Sequence, residues 1–291
     1  MVDFLKFKWL YFLISFIVIA SGIISVIKWG YTFSIDFVGG TNLEYKINKK
    51  INLDEIKKIA GSEKISIVEI NQKNDVLTMH TKAIEDNLQT KLKSEIEKKF
   101  NVKIAIQKSE TVGPVLGRET MVKTLIASLF AIVGILIYMS FSFKGFNFAL
   151  SAILAMLHDF LVVMGSYSLM SRFFGAEVDT MFVTAVLTSM SFSVHDTIII
   201  FDKIREYHNY EGKAEIEFSA NKALTETMVR SLNNSMTIIF MLLALTLMGG
   251  TTIRFFVATL LIGTITGTYS SPFIATPILV WLEGRKKKKH S

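Results

Sequence analysis

The chain has 291 residues, 51% of them hydrophobic and only 20% charged, with 23 phenylalanines and 3 prolines. That is too apolar for one or two soluble domains and too rich in aromatics for a disordered chain, so the composition points to a membrane protein. The 32 basic and 25 acidic side chains leave a formal charge of +7, and cysteine is absent, which excludes a disulfide framework, a thiolate nucleophile, a Cys-ligated zinc and an iron–sulfur cluster.

A hydrocarbon core of about 30 Å takes roughly 20 mostly apolar helical residues to cross. Six stretches qualify, at 9–27, 124–143, 146–171, 178–201, 231–250 and 255–282. The first follows Lys6 and Lys8 as a signal peptide would. Its apolar run exceeds the roughly 7–15 residues of such a segment, and no A-x-A cleavage site stands out, so it reads as a retained anchor. Lys6, Lys8, Lys144, Lys203, Arg205, Lys213, Lys222, Arg230 and the basic run at 285–289 all fall on one side of these spans. The positive-inside rule makes that side and both termini cytoplasmic, and places residues 30–120 and the loop around 172–177 outside. The basic run is then a topology anchor beside anionic lipid and not a nucleic-acid arm. The expected organisation is an N-terminus and first span at 1–30, an exported domain at 31–120, spans two to six at 121–284 with a cytoplasmic amphipathic segment at 203–229, and a basic tail at 285–291.

Within the exported segment, alternating apolar residues predict strands at 41–47, 65–70, 76–81 and 102–107, the middle two joined by a turn at Asn74-Asp75, and helical spacing predicts helices at 53–60 and 84–100. The order β-α-β-β-α-β is that of a ferredoxin-like α+β domain, with two helices over one face of an antiparallel sheet. Gly39-Gly40, just ahead of the first strand, reads as backbone geometry that other residues avoid rather than as a ligand loop. Residues 214–228 predict an amphipathic helix along the membrane surface, which either connects two spans or docks a partner.

Ionisable groups inside spans cost at least about 2.5–3.5 kcal/mol on insertion scales. Three positions need explaining: His158-Asp159 in the third span, His195-Asp196 in the fourth and Arg230 at the start of the fifth. Ser189, Ser193 and Asp196 share one helical face, with Thr188, Ser191 and His195 beside them, and Arg230, Asn233, Asn234 and Thr237 share a face of the fifth span. Two polar stripes starting from the same membrane edge are expected to meet. An Asp stripped of water holds a proton that an approaching Arg expels, so relative motion of Asp196 and Arg230 provides a physical basis for ion coupling. The alternative is a static pair that holds two helices together. The small residues Gly263, Thr264, Gly267, Thr268 and Ser271 form a packing face on the sixth span. His158-Asp159 lacks the further ligands of a metal-dependent phosphohydrolase. The common ATPase and hydrolase motifs are also missing, so neither enzymatic chemistry, a cofactor nor a metal site is expected.

Several of these residues lie in runs that resemble a known family. Asp36-Phe37-Val38-Gly39-Gly40-Thr41 after the first span and Val112-Gly113-Pro114 before the second are similar to motifs of the SecF family, membrane subunits of the bacterial Sec protein-translocation machinery related to the RND transporters. Ser193-Val194-His195-Asp196-Thr197, Phe201-Asp202-Lys203-Ile204-Arg205-Glu206, Arg230-Ser231-Leu232-Asn233 and Gly267-Thr268-Tyr269-Ser270-Ser271 extend the likeness through the remaining spans. The resemblance implies that Asp196 and Arg230 are an essential charged pair for ion-coupled work, with H⁺ or Na⁺ as the coupled ion. His195, Ser193, Asn233, Asn234, His158 and Asp159 are candidate supporting groups. His195 stands where the family commonly has Asn, which introduces a group that titrates near pH 6.5 when unperturbed. Lys203 stands for an Arg. The resemblance further implies a separate SecD chain as partner, the SecYEG channel, and an unfolded polypeptide in transit. An RND-like exporter of small molecules or lipids, or a structural assembly subunit, is the alternative.

Overall fold

The computed structural model describes residues 3–73, 75–143, 145–210 and 215–289. Asn74, Lys144, Lys213 and Ala214, each used above, lie outside the described residues. Among the described residues six helices are long and apolar enough to cross a membrane: Phe4–Trp29, Pro114–Ser142, Phe146–Phe174, Thr180–Tyr210, Ile216–Met248 and Thr252–Arg285. The chain is thus a polytopic helical membrane protein with a mixed α/β domain between its first two spans. It divides into two compact units, Met1–Thr32 with Ala127–Ser291, and Phe33–Ile126.

The second unit holds β1 (Gly40–Lys46), α1 (Leu53–Ser62), β2 (Ile67–Lys73), β3 (Val76–Thr81), α2 (Asp86–Phe100) and β4 (Ala105–Val112). Its sheet runs β2-β3-β1-β4 with every neighbouring pair antiparallel, the ferredoxin-like order. Strand alternation puts Leu43 and Tyr45 of β1 on one face, opposite Met79 and Leu77 of β3. Ile56 and Ala60 from α1 and Leu92 and Ile96 from α2 close over that face to complete an apolar core. Asn52 starts α1 by accepting the Asp54 N–H at 3.0 Å, and Asn101 ends α2 in the left-handed conformation at φ 50°. The closing strand begins at Ala105, later than the pattern predicts, and runs on to Val112. The reason is that 102–104 form the exit from α2, where the Val102 N–H bonds the Glu97 carbonyl and the Ile104 N–H bonds the Glu97 carboxylate.

Gly39 has φ +73°, and a Cβ there would come within 2.6 Å of Pro114 Cα. A Cβ on Gly117 would lie 2.7 Å from Gly39 N. The run around Gly39-Gly40 and the Val112-Gly113-Pro114 run therefore meet backbone to backbone, a contact that only glycine permits.

In the first unit the spans pack as two parallel pairs in constant register. Ser15 meets His158, Gly22 meets Gly165 and Ser25 meets Ser168, each pair 143 residues apart. Gly263 meets Ser189, Gly267 meets Ser193 and Ser271 meets Thr197, each 74 apart. Small side chains let these backbones approach closely, which is how helices associate in lipid. The sixth span is broken: Thr251–Ser270 leads into a π-turn at Ser271–Ala275 and then Thr276–Lys289. Pro272 supplies no N–H there, and the Thr276 N–H reaches back five residues to the Ser271 carbonyl.

The polar segment between the fourth and fifth spans is not a separate surface helix. The fourth-span helix continues through Tyr210, and the fifth is continuous from Ile216 to Met248. Lys203 pairs with Glu206 at 3.1 Å and Glu226 at 3.3 Å, and the Tyr207 hydroxyl hydrogen-bonds Glu226, so the two extensions are clipped together. Asn221 on the fifth-span helix accepts the Phe4 and Leu5 N–H groups and donates to Asp3, capping the first span from another helix.

Candidate functional site

Asp196 lies at the middle of the Thr180–Tyr210 helix with 9% of its surface exposed. Helical spacing turns Ser189, Ser193 and Asp196 inward together, while Ser191 and His195 face outward. Asp196 Oδ2 accepts from Ser231 at 3.3 Å, and Ser235 bonds the same carboxylate. Beside it is a cavity of about 30 Å³ lined by His195, Asp196, Asn234, Ser235, Thr264 and Thr268 among others. A void of that volume has room for about two water molecules, and its polar walls supply partners for them.

Arg230 does not join this carboxylate. No ion pair links Asp196 to Arg230 among the described residues, and Arg230, Asn233 and Thr237 stand exposed on the outer face of the fifth span. The expected meeting of two polar stripes is therefore partial. Asn234 reaches the cavity, Ser231 and Ser235 take the position foreseen for Arg230, and the rest of the fifth-span stripe points away. Ser231 and Ser235 each follow a member of that stripe, Arg230 and Asn234, by one residue, so helical phase alone separates them from it.

His158 and Asp159 lie at the middle of the third span, 8% and 3% exposed. His158 Nδ1 is 2.8 Å from Asp159 Oδ1, and His158 Nε2 is 3.0 Å from Ser15 Oγ of the first span. Asp159 Oδ2 accepts from Ser193 of the fourth span and, at 2.6 Å, from Ser270 of the sixth. Four helices thus converge on one buried pair. Sequence reasoning found His158, Asp159 and Ser193 but not Ser15 or Ser270; the latter directly precedes the π-turn, a feature often found at functional positions. No cluster of three or more His, Asp or Glu side chains fit to hold a metal occurs among the described residues.

A six-span bundle with buried carboxylates at mid-span and one ferredoxin-like insertion after its first span is a polytopic membrane protein with polar machinery inside the bilayer. Residues 91–285 match the family profile described as protein export membrane protein SecD/SecF, C-terminal. The chain is 37% identical to the protein translocase subunit SecF of Thermobaculum terrenum, across 98% of this chain and 95% of that one. It is 36% identical to SecF of Anaerolinea thermophila over the same shares. Among solved structures it superposes on SecDF of Thermus thermophilus, a translocon-associated membrane protein, with a TM-score of 0.84 at 26% identity, covering 98% of this chain. A SecDF in a super-membrane-facing form matches in fold, with a TM-score of 0.68. The chain spans about two fifths of these SecDF chains, 39% and 40%. It belongs to the SecD/SecF family of protein-export membrane proteins.

Proposed function

We propose that this chain works as a SecF-type subunit of the Sec translocase that, with a SecD chain, uses the transmembrane ion gradient to promote late export of polypeptides through SecYEG. The observation that carries this reading is the polar cavity at Asp196. A carboxylate at the middle of a span, hydrogen-bonded by the hydroxyls of Ser231 and Ser235 and with room for water, is a group that ions can reach and leave. The cavity oxygens suit a hydrated proton or a sodium ion, and export assayed with each gradient in turn separates the two.

The exposed polar face supports the partner assignment. His195 on the fourth span and Arg230 and Asn233 on the fifth are exposed within a single chain, and such groups do not face hydrocarbon without compensation. A second helical bundle, the SecD chain, covers them. Arg230 would then meet Asp196 only as the fourth and fifth spans move against each other. The Lys and Arg distribution supports a topology with both termini in the cytoplasm and the α+β domain outside, and the likeness to SecF proteins supports a bacterial cell membrane.

The test is Asp196→Asn, reconstituted with its partner in membrane vesicles. Asn keeps much of the hydrogen bonding but cannot exchange a proton, so gradient-dependent stimulation of export is expected to vanish while assembly is retained. Unchanged ion transport and export would return Asp196 to a static packing role.

A further inference from the structure

We infer that His158 and Asp159 form a proton-binding site of their own, assembled by four helices and separate from the Asp196 cavity, that takes up one proton at His158 Nε2. The inference extends the ion-coupled reading above and does not depend on Asp196 for its chemistry.

The hydrogen bonds assign the protons. Two hydroxyls, from Ser193 and Ser270, converge on Asp159 Oδ2, which occupies both its lone pairs and leaves that oxygen no proton of its own. Asp159 Oδ1 faces His158 Nδ1 at 2.8 Å, and we place the hydrogen between them on the nitrogen. What varies is Nε2, 3.0 Å from Ser15 Oγ. A hydroxyl donates to a bare ring nitrogen and accepts from a protonated one, so Ser15 serves both states by rotating its hydrogen.

The surroundings explain why the proton is needed. Among the described residues no Lys or Arg pairs with Asp159; its ion-pair partner is the imidazole. With His158 neutral the unit carries one negative charge at mid-span, and with His158 protonated it carries none. A bare charge at that depth is costly, so uptake of one proton from the aqueous phase neutralises the unit.

Among the described residues, other titratable groups near it are few. The first span contributes the Tyr11 region, where the Tyr269 hydroxyl of the sixth span donates to the Tyr11 carbonyl at 2.9 Å. Tyr269 itself stands 6.4 Å from the imidazole, ring centre to ring centre. The fourth span places Asp196 and His195 within one turn of Ser193. The helix after the π-turn brings Glu283 to Asn147 at 2.9 Å, roughly 16 Å along the third span from His158.

One further contrast sets the site apart from helix packing. Thr184, Thr188 and Thr264 turn their hydroxyls back to carbonyls four residues earlier in their own helices. Ser15 instead turns to His158 and Ser193 to Asp159, and Ser270 makes its shorter contact, 2.6 Å, to Asp159 against 3.3 Å back to the Gly267 carbonyl.

The test is nitrogen NMR of the full-length protein, labelled with ¹⁵N-histidine and held in lipid nanodiscs, with His158→Gln used to assign the signal. Between pH 5 and 9, Nε2 is expected to pass from protonated to bare in one step while Nδ1 keeps its hydrogen. Ser15→Ala is expected to lower the midpoint by about one pH unit, a tenfold loss of proton affinity, because a charged donor loses its acceptor. Ser270→Ala is expected to raise it, because the carboxylate loses a competing donor and holds the imidazolium more tightly. An Nε2 signal that never changes over this range, or midpoints that fail to move in opposite directions, would overturn the assignment. Asp196→Asn run in the same series still titrates at His158, so loss of export coupling and loss of this site are read separately.

Discussion

In the α+β domain the side chains with no exposed surface include Leu43, Ile47, Ile56, Leu77, Met79 and Leu92, whereas in the span bundle Ser151, Ser168, Ser219, Ser270, Ser271 and Thr276 share that burial. Phe201 and Ile204 are buried there too, but many of the bundle's large apolar side chains, such as Phe16, Phe130, Phe141 and Phe240, stand outward. The domain is held by removal of apolar surface from water. That force does not act between helices in lipid, so the bundle relies on close backbone approach and on hydroxyl bonds. A methyl or methylene group therefore strengthens one unit where it would wreck the other.

The sharpest way to break this contrast is Gly165→Leu. A Cβ at Gly165 would already lie 2.5 Å from Gly22 Cα, and backbone cannot swing aside as a side chain does. Loss of folded, monodisperse protein after extraction in mild detergent is expected in size-exclusion chromatography; a normal peak would show that the first and third spans do not touch there. In the domain the opposite kind of change is damaging. A fragment of residues 33–118 retains the whole apolar core and is expected to melt cooperatively. Leu43→Ala should lower its unfolding free energy by about 2–5 kcal/mol in urea titration.

A smaller effect comes from pH. Burial, and then the charge of Glu97, push the Tyr45 phenol up to about 12. The folded domain therefore keeps this proton where the unfolded chain has lost it, so the stabilisation is full below pH 10 and disappears as pH rises through 12. Up to about 2–3 kcal/mol is at stake. Urea midpoints of the fragment at pH 9 and pH 11.5 should diverge further for the unaltered sequence than for Tyr45→Phe. The smallest change is expected from Lys91→Met, which removes a 2.6 Å ion pair to Glu63 between α2 and α1. Glu63 raises the Lys91 proton affinity, but exposed pairs contribute little. A clear drop in melting temperature would show that the two helices depend on this bridge more than on Ile56 and Leu92.

Much of this architecture is legible in the residues. Apolar length marks the spans, and alternation marks the order of the sheet, because both are local consequences of lipid and water as solvents. Where legibility fails, the missing information is the rotation of one helix against another. Spacing groups Arg230, Asn233 and Asn234 on one face, but not which of them meets Asp196, and a rotation of one residue brings Ser231 and Ser235 there instead. Ser15 is one of three serines in the first span, with nothing in their spacing to single it out. The π-turn has only Pro272 as a marker, and a proline inside a span also fits a simple kink.

The constant register of the paired spans has an uneven consequence. Slip the first span one turn along the third, about 5.4 Å, and Gly22 would face Leu169 while Ser25 would face Arg172. That pairing has a single seat. Slip the fourth span one turn along the sixth, and Ser189 would face Gly267, Ser193 would face Ser271 and Thr197 would face Ala275, small residues again at every step. Thr259, Gly263, Gly267, Ser271 and Ala275 make a track with evenly spaced notches, the kind of surface on which a helix can ratchet by whole turns. The hydroxyls of Ser193 and Ser270, both closed on Asp159, are the catch that holds it in one notch.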